Sequence, residues 1–240
     1  MAIITNFERT EKKYLLTSGQ FDAFSRQLSG FMTIDQYGRS TLCNIYYDTD
    51  DYQLIRASIQ KPPYKEKIRL RSYGIPSPQD PVFVELKKKY SGVVYKRREQ
   101  LPLREAERFL SCGSSPVRDS QILREIGWTV ERYRPSPKVM IAYERIALYG
   151  NRDPGLRITF DDSLRWRTTA LDLTMGDWGS PVLPDGTFLM EIKFCGGMPV
   201  WLSHLLSECE IYPSSFSKYG TIYQHHLAPT IQKKEGIICA

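Results

Sequence analysis

Residues 65–71 read Lys-Glu-Lys-Ile-Arg-Leu-Arg, and the alternation of charged and aliphatic side chains in this stretch decides the fold class. Alternate side chains of a β-strand share a face, so the four basic residues point one way and the two aliphatic residues point into a core. The basic face comprises Lys65, Lys67, Arg69 and Arg71. Because four like charges on one strand face repel one another, the stretch predicts a strand that faces a partner with closely spaced negative charges.

The same alternation recurs elsewhere in the chain. Charged and apolar residues alternate, wholly or in part, in residues 9–13, 84–89, 95–98, 156–161 and 191–194. One reading is an ordinary solvated sheet face, but such faces usually mix small polar residues with both charge signs. Here Arg and Lys repeat with a single Glu interspersed. The recurrence therefore favours charged faces that line a lumen, where a chain of phosphates compensates the buried like charges.

The pattern of predicted elements indicates an α+β fold. The predicted strands cover residues 7–17, 41–49, 64–73, 82–90, 93–102, 137–148, 155–161, 163–168 and 187–195. The predicted helices cover residues 18–29, 51–57, 103–110, 118–131, 199–208 and 216–228, and residues 74–81 and 177–186 are predicted loops. About eight long strands, mostly antiparallel neighbours, favour a closed β-barrel with helices packed outside, and a sandwich is the alternative. No composition shift marks a boundary, so residues 1–240 are predicted to form a single domain.

Composition excludes several classes of protein. The chain has 240 residues, 41% of them hydrophobic, and a formal charge of +6, which suits a polyanionic partner. None of the five cysteines forms a CxxC pair, so we expect reduced thiols and no zinc site, and the three histidines lack metal-ligand spacing. We find no signal peptide and no membrane segment, and we expect a cytoplasmic protein.

Nine short segments together resemble a known superfamily in their order and spacing. They are Thr10–Tyr14, Ile45–Thr49, Lys67–Tyr73, Val84–Lys87, Val94–Arg98, Ala142–Arg145, Leu156–Asp161, Met190–Lys193 and Ser215–Tyr219. The pattern resembles the triphosphate tunnel enzymes, which have the CYTH-like fold. Within them it is most similar to the catalytic domain of the vacuolar transporter chaperone (VTC) family, which makes polyphosphate.

This resemblance implies a role for each matching residue. The implied phosphate ligands are Lys13, Arg69, Arg71, Lys87, Lys96, Tyr143, Arg145, Arg157, Lys193, Ser217 and Lys218. Among them, the catalytic set comprises Arg69, Arg71, Lys87, Arg145, Arg157 and Lys218. Glu191 would hold a Mn²⁺ or Mg²⁺ ion, helped by Glu11, Glu85 or Asp161.

The implied activity is transfer of the ATP γ-phosphate to a growing polyphosphate chain, which needs positioning and charge neutralisation more than a strong base. Hydrolytic members of the superfamily begin with Glu-x-Glu-x-Lys, whereas residues 9–13 read Arg-Thr-Glu-Lys-Lys. Since a metal-activated water needs carboxylates around the metal, this departure argues for the polymerase branch.

The alternatives are a triphosphatase on the same fold and a non-catalytic binder of polyphosphate or nucleic acid. The expected partners are ATP and polyphosphate or triphosphate. We expect no nucleic acid, because a duplex could not enter a narrow lumen. Coupling to transport would require a separate membrane protein as a partner.

Overall fold

The computed structural model describes residues 9–91, 93–112 and 119–231. Within them the strands are Arg9–Leu16 (β1), Met32–Asp48 (β2), Tyr64–Tyr73 (β3), Pro81–Tyr90 (β4), Val93–Pro102 (β5), Ser136–Gly150 (β6), Arg157–Arg167 (β7), Ser180–Pro181 (β8) and Phe188–Cys195 (β9). The helices are Ser18–Leu28 (α1), Gln53–Gln60 (α2), Leu103–Cys112 (α3), Gln121–Tyr133 (α4), Val200–Glu208 (α5) and Lys218–Ile222 (α6). A 3-10 turn covers Leu173–Met175, and a π-helical turn covers Tyr223–Leu227.

The strands form one antiparallel sheet, which confirms the predicted α+β class. The hydrogen-bonded order is β1-β9-β7-β6-β2-β3-β4-β5, with β8 paired to β7. The pairing among the described residues is thus an open path that begins at β1 and ends at β5. The closed barrel stays a prediction.

The chain divides into two compact units, each with its own core. The first unit contains the described residues of Met1–Thr41, Tyr143–Leu164 and Leu183–Phe216. The second contains those of Leu42–Ala142, Arg165–Val182 and Ser217–Ala240. The expectation of a single domain stays a prediction.

The first core lies between α1, α5 and the apolar faces of β1, β7 and β9. α1 begins with a capping box in which the side chains of Thr17 and Gln20 satisfy each other's backbone N–H groups. Its Phe24 and Leu28 are buried in the same cluster as Ile158 of β7. The buried members from β9 are Met190, Ile192 and Phe194. They alternate with Glu191 and Lys193, so the opposite face of β9 carries charge.

The second core confirms the alternation predicted for residues 65–71. Ile68 and Leu70 are completely buried, as are Val82, Val84 and Leu86 of β4. α3 covers them with Leu103, Ala106, Phe109 and Leu110, and α4 adds Leu123, Ile126 and Val130. The basic side chains of β3 therefore lie on the face away from these helices.

Several predicted boundaries differ from the structure. β2 begins at Met32, nine residues before the predicted start, and β7 is one strand where two were predicted. Residues 7, 8 and 118, at the ends of two predicted elements, lie outside the described residues. Within the described chain, no helix is long and apolar enough to cross a lipid bilayer. The four cysteines in this part of the chain are free thiols, as predicted.

Candidate functional site

The strand register of the second unit arranges the basic face in rows. Lys67 lies opposite Lys87, which lies opposite Lys96 on β5. In the next row, Glu85 lies between Arg69 and Arg98. Like charges directly opposite each other on a sheet are destabilising, and the contact of Lys96 with Glu85 at 2.9 Å offsets part of this repulsion.

Glu85 is the carboxylate at the centre of this face, and it contacts several cations. Its Oε2 atom lies 2.5 Å from Arg69 Nη2 and accepts a hydrogen bond of 2.6 Å from Nε of the same side chain. Its Oε1 atom lies 2.9 Å from Lys96 Nζ and 3.4 Å from Arg98 Nε. Burial alone would raise the pKa of Glu85, but the nearby cations, Arg69 first, outweigh it and lower that pKa to about 2. Glu85 is thus an anion that holds the cations in place.

Neighbouring polar side chains fix the two arginines of β3. Arg69 Nη1 donates to the Tyr46 hydroxyl at 3.2 Å, and Arg71 Nε donates to Asn44 Oδ1 at 2.7 Å. Asn44 is fully buried and donates in turn to the carbonyl of Ile141. Because these partners hold both guanidinium groups, the arginines need little rearrangement to meet an anion.

The start of α6 adds a hydroxyl and a lysine to the second unit. Lys67 Nζ donates to Ser217 Oγ at 3.3 Å, and Ser217 caps the helix by accepting from the N–H of Gly220. Lys218, the next residue, is almost fully buried. Ser217 is therefore both an ordinary helix cap and a neighbour of the lysine row.

Asp48 connects α6 to α2. Its carboxylate accepts hydrogen bonds from the N–H groups of Leu54 and Ile55 and from the hydroxyl of Tyr219. Burial raises the pKa of Asp48, although the same hydrogen bonds oppose the shift. This residue therefore fixes the position of the segment that carries Ser217 and Lys218.

In the first unit, two carboxylates and two lysines form a compact cluster on β1 and β9. Glu11 lies opposite Lys193, and Lys13 lies opposite Glu191. Lys13 Nζ is 3.8 Å from Glu11 and 3.4 Å from Glu191, while Lys193 Nζ is 4.0 Å and 2.9 Å from the same two carboxylates. Each carboxylate therefore contacts both lysines.

A buried ion pair joins β6 to β7 in the same unit. Arg145 donates to both oxygens of Asp161, at 2.5 and 2.7 Å, and Asp161 is completely buried. The guanidinium also lies 5.2 Å from the ring of Tyr143. Burial alone would lower the pKa of Arg145, but these neighbours and Glu191 raise it well above its ordinary value. Arg145 is permanently charged, and Asp161 is committed to it.

A comparison with models of protein families shows which family the chain belongs to. The model of the VTC domain matches residues 8–226. The chain belongs to the VTC domain family. No curated protein matches the sequence. Membership supports a function of the triphosphate-tunnel kind, that of an enzyme acting on triphosphates, and enzymes of this kind depend on a metal ion.

Solved structures show the CYTH-like fold for this VTC domain. A candidate adenylate cyclase from Bacillus halodurans has a TM-score of 0.54 at 16% identity, covering 90% of this chain and 96% of its own. A candidate adenylyl cyclase from Hippeastrum, described as having a dominant triphosphatase activity, has a TM-score of 0.52 at 16% identity, covering 89% and 94%. A third candidate adenylate cyclase, from Vibrio parahaemolyticus, has a TM-score of 0.50 at 12% identity, covering 89% of this chain and 97% of its own.

The structure places the predicted site residues of the VTC domain in two groups. The first unit contains Glu11, Lys13, Tyr143, Arg145, Arg157, Asp161, Glu191 and Lys193. The second contains Arg69, Arg71, Glu85, Lys87, Lys96, Ser217 and Lys218. Arg157 extends the first group, since it lies opposite Lys193, and its guanidinium is 4.0 Å from Asp35. Their roles stay predictions.

Three further residues that contact the second group were not predicted from the sequence. Arg98 follows Lys96 in the same alternation and could have been found from it. Tyr46 stands beside Tyr47 in the sequence, and paired tyrosines in a strand usually pack, so nothing singles it out as a partner of Arg69. Asn44 gives no sequence signal, since only the fold brings it to Arg71.

The carboxylates differ in how well they suit a metal ion. Among the described residues, no three His, Cys, Asp or Glu side chains are grouped as a metal site. Both oxygens of Asp161 are bound by Arg145, and both oxygens of Glu85 lie against cations. Glu11 and Glu191 also contact lysines, but their side chains are 31% and 11% exposed, against 2% for Glu85, so a metal ion can reach them. Two carboxylates fit a hard divalent cation that takes its other ligands from phosphate oxygens and water.

Proposed function

We propose that this VTC domain is an ATP-dependent polyphosphate polymerase. A terminal oxygen of the phosphate chain attacks the γ-phosphorus of ATP, a new P–O bond forms, and the bond from the γ-phosphorus to the β-phosphate oxygen breaks to release ADP. One observation carries the proposal: on the face of β3–β5, four cations lie within 4.0 Å of the buried carboxylate of Glu85, namely Arg69, Arg71, Lys96 and Arg98.

These cations suit phosphoryl transfer. Arginines bind phosphate oxygens through two N–H groups, and lysines supply compact positive charges. The proposed phosphate ligands are the basic residues predicted from the resemblance, now with Arg98 added. Because Tyr46, Asn44 and Glu85 hold the guanidinium groups in place, they meet the developing charge of the transition state without reorganising.

The cluster in the first unit favours transfer to a phosphate over transfer to water. Glu11 and Glu191 each lie within 4.0 Å of both lysines, so cations as well as a metal ion share their charge. A hydrolase needs carboxylates that help a metal activate water, and Arg9 stands here at the first position of the hydrolytic signature, where hydrolytic members have Glu. A bound Mn²⁺ or Mg²⁺ held by Glu11 and Glu191 would neutralise phosphate oxygens. A cytoplasmic location would provide the ATP.

The decisive experiment is incubation of the purified chain with ATP and Mn²⁺ or Mg²⁺. We expect phosphate chains long enough to resolve on a gel, with one ADP released for each phosphate added. Release of orthophosphate without chain growth would instead establish a triphosphatase. Binding without any ADP would establish a non-catalytic binder.

Exchange of both candidate metal ligands for glutamine tests the metal assignment. We expect Glu11→Gln with Glu191→Gln to weaken Mn²⁺ binding in the presence of tripolyphosphate by about tenfold or more, since two charged oxygen ligands are lost. Free Mn²⁺ can be measured by electron paramagnetic resonance. The matched control is Glu208→Gln with Glu210→Gln, which removes two exposed carboxylates from the same unit. Equal Mn²⁺ affinity in the two double variants would refute the assignment.

A further inference from the structure

The basic face of β3–β5 ends in a pair of aromatic residues that phosphate binding does not require. Tyr73 is the last residue of β3 and shares a face with Arg69 and Arg71. Phe83 of β4 lies opposite Arg71. The rings of Tyr73 and Phe83 meet edge to face, with centroids 5.9 Å apart and planes at 89°.

Arg98 connects this aromatic pair to the charged face. Its guanidinium carbon lies 3.4 Å from the centroid of the Phe83 ring, and its Nη2 atom donates to the Tyr73 hydroxyl at 3.4 Å. Its Nε atom lies 3.4 Å from Glu85 Oε1. One side chain therefore contacts both aromatic rings and the central carboxylate, so rings and cations form one continuous surface.

The surface of Tyr73 is available to a ligand. Tyr73 is 52% exposed, whereas Arg98 covers one side of the Phe83 ring. Gln100 lies opposite Phe83 on β5 and is exposed, so an amide that can donate and accept hydrogen bonds adjoins the rings. An exposed aromatic ring with a neighbouring guanidinium is the arrangement on which nucleic-acid bases stack.

We propose that Tyr73, Phe83, Arg98 and Gln100 form a nucleoside-binding end of the basic face. The base of ATP stacks on Tyr73, and the amide of Gln100 contacts the edge of the base. Tyr73 lies four positions after Arg69 in β3, which is about 13 Å along a strand. A ribose and its phosphates span this distance, so the triphosphate runs from Tyr73 towards Arg69 and Lys87. This inference rests on the proposed use of ATP.

The arrangement predicts that the protein distinguishes ATP from inorganic tripolyphosphate through Tyr73. We expect Tyr73→Ala to weaken ATP binding about tenfold and to change tripolyphosphate binding less than twofold, because only ATP has a base to stack. Tyr73→Phe keeps the ring and should bind both ligands as the parent does. Isothermal titration calorimetry without metal gives both affinities and avoids turnover.

The matched control is Tyr95→Ala. Tyr95 is 47% exposed and belongs to the opposite face of β5, so its loss should alter neither affinity. Equal weakening of ATP and tripolyphosphate by Tyr73→Ala, or unchanged ATP affinity, would overturn the nucleoside site. A parent protein that binds both ligands but makes no polymer would overturn the proposed polymerase alone. A parent protein that binds neither ligand would overturn both.

Discussion

Replacement of Glu85 by glutamine is expected to lower the free energy of unfolding by about 3 kcal/mol at pH 7. The carboxylate is 2% exposed, and its loss leaves Arg69, Lys96 and Arg98 facing one another without an anion. The estimate follows from the pKa, which is about 2 in the folded protein against an ordinary value of 4.5. Urea unfolding of parent and variant measures the difference.

The pH dependence of the difference in unfolding free energy between the parent and Glu85→Gln tests whether the charge of Glu85 causes it. Because folding lowers the pKa of Glu85, its stabilisation is complete above about pH 4.5 and is lost as the pH falls towards 2. The difference between parent and variant should therefore shrink over that range. Glu131→Gln, which removes an exposed carboxylate of α4, should have no comparable effect. A difference that stays constant down to pH 3 would show that Glu85 acts through packing alone.

Loss of both arginines of β3 is expected to weaken tripolyphosphate binding about a thousandfold. Hydrogen bonds to charged groups contribute about 1.5 to 3 kcal/mol each, and Arg69→Ala with Arg71→Ala removes two guanidinium groups. The protein should stay folded, because Glu85 keeps Lys96 at 2.9 Å and Arg98 at 3.4 Å. Calorimetry measures the affinity, and circular dichroism checks the fold.

A charge-matched control separates the site from the net charge. Arg104→Ala with Arg124→Ala also removes two positive charges from the second unit, but both residues are exposed on helices. Long-range attraction alone would weaken binding equally in the two double variants. We expect the control to lose less than about threefold. Comparable losses would contradict a specific role for Arg69 and Arg71.

The alternation of side chains predicted which face of each strand is charged, because the period of a strand is fixed by its backbone. It could not predict where one position breaks the rule. Glu66 shares the apolar face with Ile68 and is buried there, where Tyr64 donates a hydrogen bond to it and Lys88 lies 3.6 Å away. Tyr64 lies two residues before Glu66 on β3, but Lys88 is brought to Glu66 by the register of β3 against β4, which the sequence of β3 does not contain.

Elements without a strong pattern were predicted less well. The first half of β2 is largely polar and exposed, and it contains Gly38 at a φ of +56°. Its strand conformation depends on pairing with neighbouring strands, since its own residues favour no period. The residues of the candidate site also differ in whether a sequence pattern predicts them. The alternation predicted that Arg69 and Arg71 share the charged face, whereas Asn44 gives no such signal, because only the fold brings its amide beside Arg71.

The facing lysines of β3, β4 and β5 have a consequence for the lifetime of the protein. Lys67, Lys87 and Lys96 lie in register across three strands, so a bound polyanion lowers the electrostatic repulsion among them. A ligand that binds only the folded chain stabilises it by mass action, and proteases act on the unfolded fraction. The abundance of this protein should thus rise when phosphate chains accumulate and fall through faster degradation when they are consumed.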